Sequence, residues 1–243
     1  MPGYETKQES IAIAGVDDLI IRSLLDRQQF SDPVGAARRL GISSGTWPIF
    51  GLLWPSGRQL AARLAARVLR PGERILEIGC GLALASLVGH RRGAIVTASD
   101  KHPLAAAFLA HNLRLNALPP MKYRHGEWAP AAPPLPDGGA PRSALAGGTA
   151  PTSAAVHGRY DLLIASDVLY ERESGGILAG FIGRHAAPVA EVWIVDPDRG
   201  NRPPFNRAMA ALGFALTEER LDAVARPGNA AYKGRLLSYR RGG

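Results

Sequence analysis

The stretch ILEIGCGLALA, residues 75–85, sets Glu77, Gly79 and Gly81 at alternate positions where an apolar run gives way to a helical one. The two glycines allow a tight turn and let a ligand approach the main chain, where the start of the following helix exposes amide groups. Asp100 stands about 20 residues further on, at the end of the next apolar run, where a carboxylate can accept hydrogen bonds from both hydroxyls of a ribose. A nucleoside-containing ligand follows from that pair of features. A nicotinamide or flavin site would want a third small residue where Leu84 stands, to bring helix and pyrophosphate together. Glu77 beneath the turn would repel a pyrophosphate, but it suits a ligand with a cationic amino group and a sulfonium, the description of S-adenosylmethionine.

Ligands of open α/β sheets collect beyond the carboxyl ends of the strands, and other candidate residues sit at such ends. In ASDVLYERE, residues 165–173, Asp167 closes the apolar run YDLLI and Tyr170 follows it at D-x-x-Y spacing. An isolated D-x-x-Y is equally well a helix cap and a ring at the edge of the core; its place at a strand end singles this one out. In HGEWAP, residues 125–130, Glu127 and Trp128 close a shorter run. Asp196, in IVDPDRG, ends a further strand, Pro197 marks a turn, and Arg199 is placed to meet an acidic substrate. His102, His111 and His125 lack metal-ligand spacing and read as solvated or locally bonded. Cys80 is the only cysteine, so the chain closes no internal disulfide and assembles no thiolate cluster. No metal is expected.

These residues need a frame. From Arg74 onward short β-rich runs alternate with helical stretches, the sequence form of an α/β protein with a parallel sheet covered by helices. Strands are expected at 74–79, 94–100, 121–126, 160–167, 190–197, 214–221 and 232–240, and helices at 82–92, 103–116, 174–187 and 203–212. Ahead of them, residues 55–71 read as a helix with Ser56 as N-cap and Leu60, Leu64 and Val68 along one face. The segment 41–57 is loop-like yet carries Trp47, Phe50 and Trp54, rings that either anchor the loop or line a pocket. Residues 129–158, rich in Pro, Ala, Gly and Ser and without apolar periodicity, read as a flexible insertion.

The E-x-G-x-G turn with an acid after the second strand resembles motif I and its partner in class I S-adenosylmethionine-dependent methyltransferases. SDVLYE resembles the D-x-x-Y/F signature of the family 16 seven-β-strand methyltransferases, a group rich in protein-lysine methyltransferases, and LLWPSG and VWIVDPDRG are similar to segments of its bacterial members. The likeness covers most of residues 41–128 and 160–213 and departs at Ala83, where the motif often has a third glycine. It implies a Rossmann-like three-layer sandwich with a mostly parallel seven-stranded sheet, the last strand antiparallel, and N-terminal additions. Residues 1–54 would form an extension and cofactor-covering loop, and residues 55–243 the methyltransferase domain.

The same resemblance implies that S-adenosylmethionine is the cofactor, with Glu77 near its methionine amino group, Gly79, Cys80 and Gly81 forming the turn, and Asp100 on the ribose. Glu127 and Trp128 would border the adenine, Trp54 and Ser166 would complete the cofactor pocket, and Asp167 and Tyr170 would be the catalytic pair. The implied activity is N-methylation of a lysine side chain in a protein substrate. A small-molecule amine N-methyltransferase is the alternative enzyme, and a catalytically silent binding module on the same fold is the alternative of another class. Val168 and Leu169 stand where adenine amino methyltransferases carry the prolines of a D/N-P-P-Y motif, so a nucleic-acid substrate is not expected.

Composition sets the outer limits. The chain has 243 residues, 46% of them hydrophobic, enough for one substantial core. Its net charge of +8 would suit an acidic partner, but lysine occurs only at Lys7, Lys101, Lys122 and Lys233 and the arginines are scattered, which describes a solvated surface. No run reaches the roughly 18 apolar residues of a membrane-spanning helix, and MPGYETKQES lacks the layout of a secretion signal. A cytoplasmic monomer is expected.

Overall fold

The computed structural model describes residues 3–129, 154–170, 174–225 and 231–242. The chain begins with an antiparallel hairpin, β1 (Thr6–Ile13) and β2 (Val16–Leu24), followed by the short helix α1 (Ala36–Arg39), a 3-10 turn (Trp47–Gly51) and helix α2 (Pro55–Ala66). Strands and helices then alternate: β3 (Arg74–Ile78), α3 (Leu84–Arg91), β4 (Ile95–Asp100), α4 (Ala105–Leu115), β5 (Lys122–His125), β6 (Tyr160–Ser166), α5 (Ser174–His185), β7 (Ala186–Asp196) and α6 (Arg202–Ala211). The terminal strands are β8 (Ala215–Ala223) and β9 (Tyr232–Arg241).

The larger sheet has seven strands in the order β5-β4-β3-β6-β7-β9-β8. Neighbours from β5 to β7 are parallel, and β9 inserts antiparallel between β7 and β8. This is the expected mostly parallel sheet with its last strand antiparallel. Successive side chains of a strand point to opposite faces, and both faces are buried. Ile75, Val96, Leu162, Ile164 and Val195 pack with the hairpin, α2, α3 and α4 on one side. Leu76, Ile78, Leu163, Ala165 and Ile194 pack with α5 and α6 on the other. Since the order of successive strands reverses between β3 and β6, their carboxyl ends open a crevice at the switch point of the sheet.

The hairpin carries no counterpart in the sequence reading. Its apolar side chains Ile11, Leu19, Ile21 and Leu24 share one core with Leu60 and Phe108. Two asparagines one turn apart, Asn112 on α4 and Asn116 at its C-cap, complete the edge of β2 as another strand would. Asn112 accepts from the Arg22 amide at 2.8 Å and donates to its carbonyl at 3.4 Å, while Asn116 does the same for Ile20 at 2.9 and 2.8 Å.

Helix α2 ends earlier than expected. Trp54 is its N-cap and Pro55 opens it, so Ser56 lies inside the first turn, buried, and hydrogen-bonds the Tyr232 hydroxyl at 3.0 Å instead of capping. Arg67 leaves helical geometry because its guanidinium is drawn into Glu73 at 2.6 Å and Glu191 at 3.1 Å. Leu60 and Leu64 are buried as expected, whereas Val68, beyond that break, is 84% exposed. Of the presumed insertion, residues 130–153 lie outside the described residues. Its last part runs beside β5: the His125 amide donates to the Ala154 carbonyl at 3.1 Å and the Val156 amide to the His125 carbonyl at 3.0 Å.

Candidate functional site

The turn between β3 and α3 holds Gly79, Gly81 and Ala83 at φ of 60°, 51° and 61°. At Gly81 the requirement for glycine is doubled, because an added Cβ would meet the Phe50 carbonyl oxygen at 2.8 Å. The 3-10 turn thereby lies directly against the glycine turn. At Gly79 a Cβ would enter the space bordered by Val168 and Trp128, at 3.2 and 3.4 Å.

Two carboxylates flank this turn. Asp100, the last residue of β4, accepts the Gly81 amide on one oxygen at 2.9 Å and the His102 amide on the other at 2.8 Å. Burial pushes its carboxyl up, and the amides of His102 and Gly81 pull it back. Glu77 is 4% exposed and reaches under the first turn of α3, where Ser86 donates both its amide, at 2.8 Å, and its hydroxyl to the same oxygen. It thus caps α3 from a neighbouring strand, since α3 has no side-chain cap of its own. Burial raises the Glu77 carboxyl to about 7, the two Ser86 bonds hold it down, and the nearby Asp100 adds to the rise. Cys80 is buried between them, and burial pushes its thiol well up.

The segment ahead of α2 closes over this region with an aromatic cluster. Trp47 is 1% exposed and packs edge-on against Phe50 and His102, whose ring stacks on Phe50 with centroids 3.6 Å apart. Of the two expectations for His102, solvated or locally bonded, the structure shows a buried, locally bonded ring. Its Nδ1 accepts the Leu104 amide at 3.2 Å, and desolvation drives its pKa down to about 3, so the ring is neutral.

At the far end of the crevice Asp167 follows β6, its amide still donating to the Val195 carbonyl at 3.0 Å while its φ swings to 58°. Its carboxylate accepts the Arg199 guanidinium at 2.5 Å. Arg199 comes from the loop after β7, and instead of standing ready for an acidic substrate it is paired within the chain. Its guanidinium lies 6.0 Å from the centroid of Trp54, a ring that Arg27 also covers at 5.0 Å. The Trp54 indole donates to the Ile49 carbonyl at 2.9 Å, fixing the ring in place.

The glycine turn, its flanking carboxyl groups, Phe50, His102, Trp54, Asp167 and Arg199 border one cleft of about 580 Å³ at the carboxyl ends of β3, β4 and β6. The structure brings Trp54, Glu77, Gly79, Cys80, Gly81, Asp100, Glu127, Trp128, Ser166, Asp167 and Tyr170 all onto its lining. Among the described residues, four carboxyl groups share that lining with two cations, Lys101 and Arg199. Of the three rings expected either to anchor their loop or to line a pocket, Phe50 and Trp54 line the cleft and Trp47 is the buried anchor. Sequence reasoning missed the lining by His102 and the pairing of Arg199, which no spacing signals. His111 and His125 do not line the cleft, and no group of three or more potential metal ligands occurs among the described residues.

A scan against protein-family models gave no match, and neither did a search of curated proteins. Solved structures are similar in fold. A magnesium protoporphyrin IX methyltransferase from Synechocystis PCC 6803, solved with bound SAM, superposes with a TM-score of 0.55 at 17% identity over 77% of this chain and 78% of that one. A methyltransferase from Pyrococcus furiosus gives 0.53 at 18% identity over 77% and 83%. A precorrin-6y C5,15-methyltransferase from Geobacter metallireducens GS-15 gives 0.52 at 10% identity over 76% and 87%. At such identities the likeness is one of architecture: this chain shares a Rossmann-like, mostly parallel seven-stranded sheet with these methyltransferases.

Proposed function

We propose that this chain is an S-adenosylmethionine-dependent N-methyltransferase whose acceptor is a lysine side chain of a protein. The observation that carries the reading is the pair of buried acids, Glu77 and Asp100, on either side of a glycine turn in a cleft that has Asp167 at its other end. The residues fit the cofactor. A Cβ on Gly79 would fill the cradle between Val168 and Trp128, and Glu77 offers a negative group to an ammonium. A carboxylate accepts about four hydrogen bonds, so Asp100, with one amide on each oxygen, keeps capacity for two ribose hydroxyls. The cleft volume lies in the range of about 300–1,000 Å³ usual for small-molecule sites. That a structure of the same architecture was solved with bound SAM supports the assignment.

S-adenosylmethionine supplies an electrophilic methyl group, and transfer needs a nucleophile roughly 3 Å away in line with the sulfur. The chain's part is geometric. Tyr170, 43% exposed at the rim, walls the aliphatic stem of an incoming lysine, and its ring helps strip water from the ammonium, which favours proton loss. Asp167 acts in the opposite sense, because a carboxylate favours the charged amine; its role is to orient the nitrogen and not chiefly to take the proton.

Titration of S-adenosylmethionine into the folded chain by calorimetry tests the cofactor, and the absence of binding heat rejects the reading outright. Incubation with methyl-labelled cofactor and fractionated lysate tests the acceptor. Label confined to the low-mass fraction rejects a protein substrate in favour of a small amine. Mass spectrometry of labelled proteins then locates the modified residue.

A further inference from the structure

We propose that Arg199 is a specificity-determining gate on Asp167: its guanidinium occupies the place of the acceptor's cationic head, so that only a group able to replace a cation gains access. The inference rests on the proposed function, in which Asp167 receives the acceptor.

The geometry separates the pair from what holds its two sides in place. Arg199 lies on the loop between β7 and α6, and that loop is fixed by other bonds. The Asp198 amide donates to Asp196 at 2.9 Å, and the Asp198 carboxylate accepts Arg235 and Arg202, each at 3.0 Å. Glu218 in turn accepts Arg202 and Arg235, each at 3.2 Å. Asn201 ties the same loop to the segment after Asp167 by donating to the Leu169 carbonyl at 2.9 Å. Breaking the contact between Arg199 and Asp167 therefore asks one side chain to swing while both backbones stay put.

The two partners are unequally enclosed. The Asp167 side chain is 11% exposed and that of Arg199 is 40% exposed, so the carboxylate is the fixed member and the guanidinium the one that can leave. It has somewhere to go. The Trp54 ring already lies 6.0 Å away, and a guanidinium over an aromatic face retains a favourable contact. A neutral acceptor that displaced Arg199 would leave a largely buried carboxylate without its charge partner, whereas an alkylammonium exchanges one cation for another.

The experiment uses the full chain and n-butylammonium, a lysine head group without a peptide, followed by chemical-shift titration. Arg199→Ala is expected to bind the probe about tenfold more tightly than the wild type, which is about 1.4 kcal/mol. Arg199→Lys keeps the charge, and because the contact with Asp167 runs through one nitrogen, Nη2, it is expected within about twofold of the wild type. Adding Asp167→Asn to Arg199→Ala is expected to cancel the gain, and neutral n-butanol is expected to show none. Equal binding of n-butylammonium by the wild type and Arg199→Ala, absence of binding in both, or a gain that survives Asp167→Asn overturns the gate. S-adenosylmethionine titrated into the same samples reports separately: if it binds while the probe discriminates nothing, the gate alone falls, and if it does not bind, the functional reading falls.

Discussion

Replacing Glu77 with Gln removes a charge from one of the most enclosed carboxyl groups in the cleft while keeping its shape and an oxygen for the two Ser86 donors. Folded Glu77 holds its proton to about pH 7, because burial outweighs the Ser86 bonds, whereas the unfolded chain releases it near the ordinary 4.5. Between those values the folded state binds more protons than the unfolded state, so stability falls as pH rises. The contribution is fully present below about pH 4.5 and gone above about pH 7. A gap of about 2.5 units at 1.36 kcal/mol per unit makes the swing about 3 kcal/mol. The Gln variant has no such proton. Urea unfolding at pH 4.5 and pH 8 should therefore find wild type and variant changing by amounts that differ by about 3 kcal/mol, the variant gaining relative to the wild type at the higher pH. Titrating groups that do not interact with Glu77 cancel in that comparison. Parallel pH profiles for the two proteins would refute the account of Glu77 as a carboxyl whose pKa burial raises. A cationic ligand should shift the balance: S-adenosylmethionine affinity is expected to weaken in the wild type as pH drops through 7, and to show little of that dependence in the variant.

Gly81→Ala forces a Cβ to within 2.8 Å of the Phe50 carbonyl at a φ of 51°, and a left-handed non-glycine residue alone costs roughly 1–2 kcal/mol. The melting temperature should fall and cofactor binding weaken, and a variant as stable as the wild type would show that the 3-10 turn yields. Asp167→Asn keeps a residue that tolerates positive φ; methyl transfer should drop by about a hundredfold or more while calorimetric cofactor affinity stays close to wild type. Asn112→Ala leaves the Arg22 amide and carbonyl without partners at a buried edge and should cost about 1–3 kcal/mol, with hydrogen exchange at Arg22 accelerating before that of the central strands.

Most of what positions the cleft was legible in the sequence because it is local. A strand that ends on a carboxylate, or turns on two glycines, announces both the element and the group it delivers, which is why Glu77, Gly79, Gly81, Asp100 and Asp167 were found together. The hairpin was not found because its signal is weak at both strands. In β1 the side chains before Ile11 are exposed or half-buried, and in β2 the run Leu19, Ile20, Ile21 hides the alternation, since Ile20 faces outward at 38% exposure. Its anchors, Asn112 and Asn116, reveal themselves only once α4 lies beside β2. His102 follows the same logic: of the two expectations, solvated or locally bonded, the local bond to the Leu104 amide is present, but the burial comes from the ring of Phe50 in a distant segment. For Arg199 the sequence suggests an acidic substrate, and the acid it meets in the structure is Asp167 of the same chain.

Backbone strain follows the same boundary between what the sheet fixes and what the site requires. Ala83, Asp167 and Asp198 have φ of 61°, 58° and 64°, and each stands where the chain leaves a buried strand on its way past the cleft. Each is held by bonds that extend the strand or close the turn: the Ala83 amide donates to Cys80 at 2.7 Å, that of Asp167 to Val195 at 3.0 Å, and that of Asp198 to the Asp196 carboxylate at 2.9 Å. The fourth such residue, Ala117 at 51°, merely ends α4, where the Leu118 amide donates to the Leu113 carbonyl at 2.9 Å, so positive φ by itself marks no function. What distinguishes the other three is that relaxing them would move a group in the cleft: the cap of α3 above Glu77, the carboxylate of Asp167, or the loop that carries Arg199. A packed sheet with cores on both faces is stiff enough to hold those departures, and the same stiffness lets one side chain, Arg199, be the part that moves.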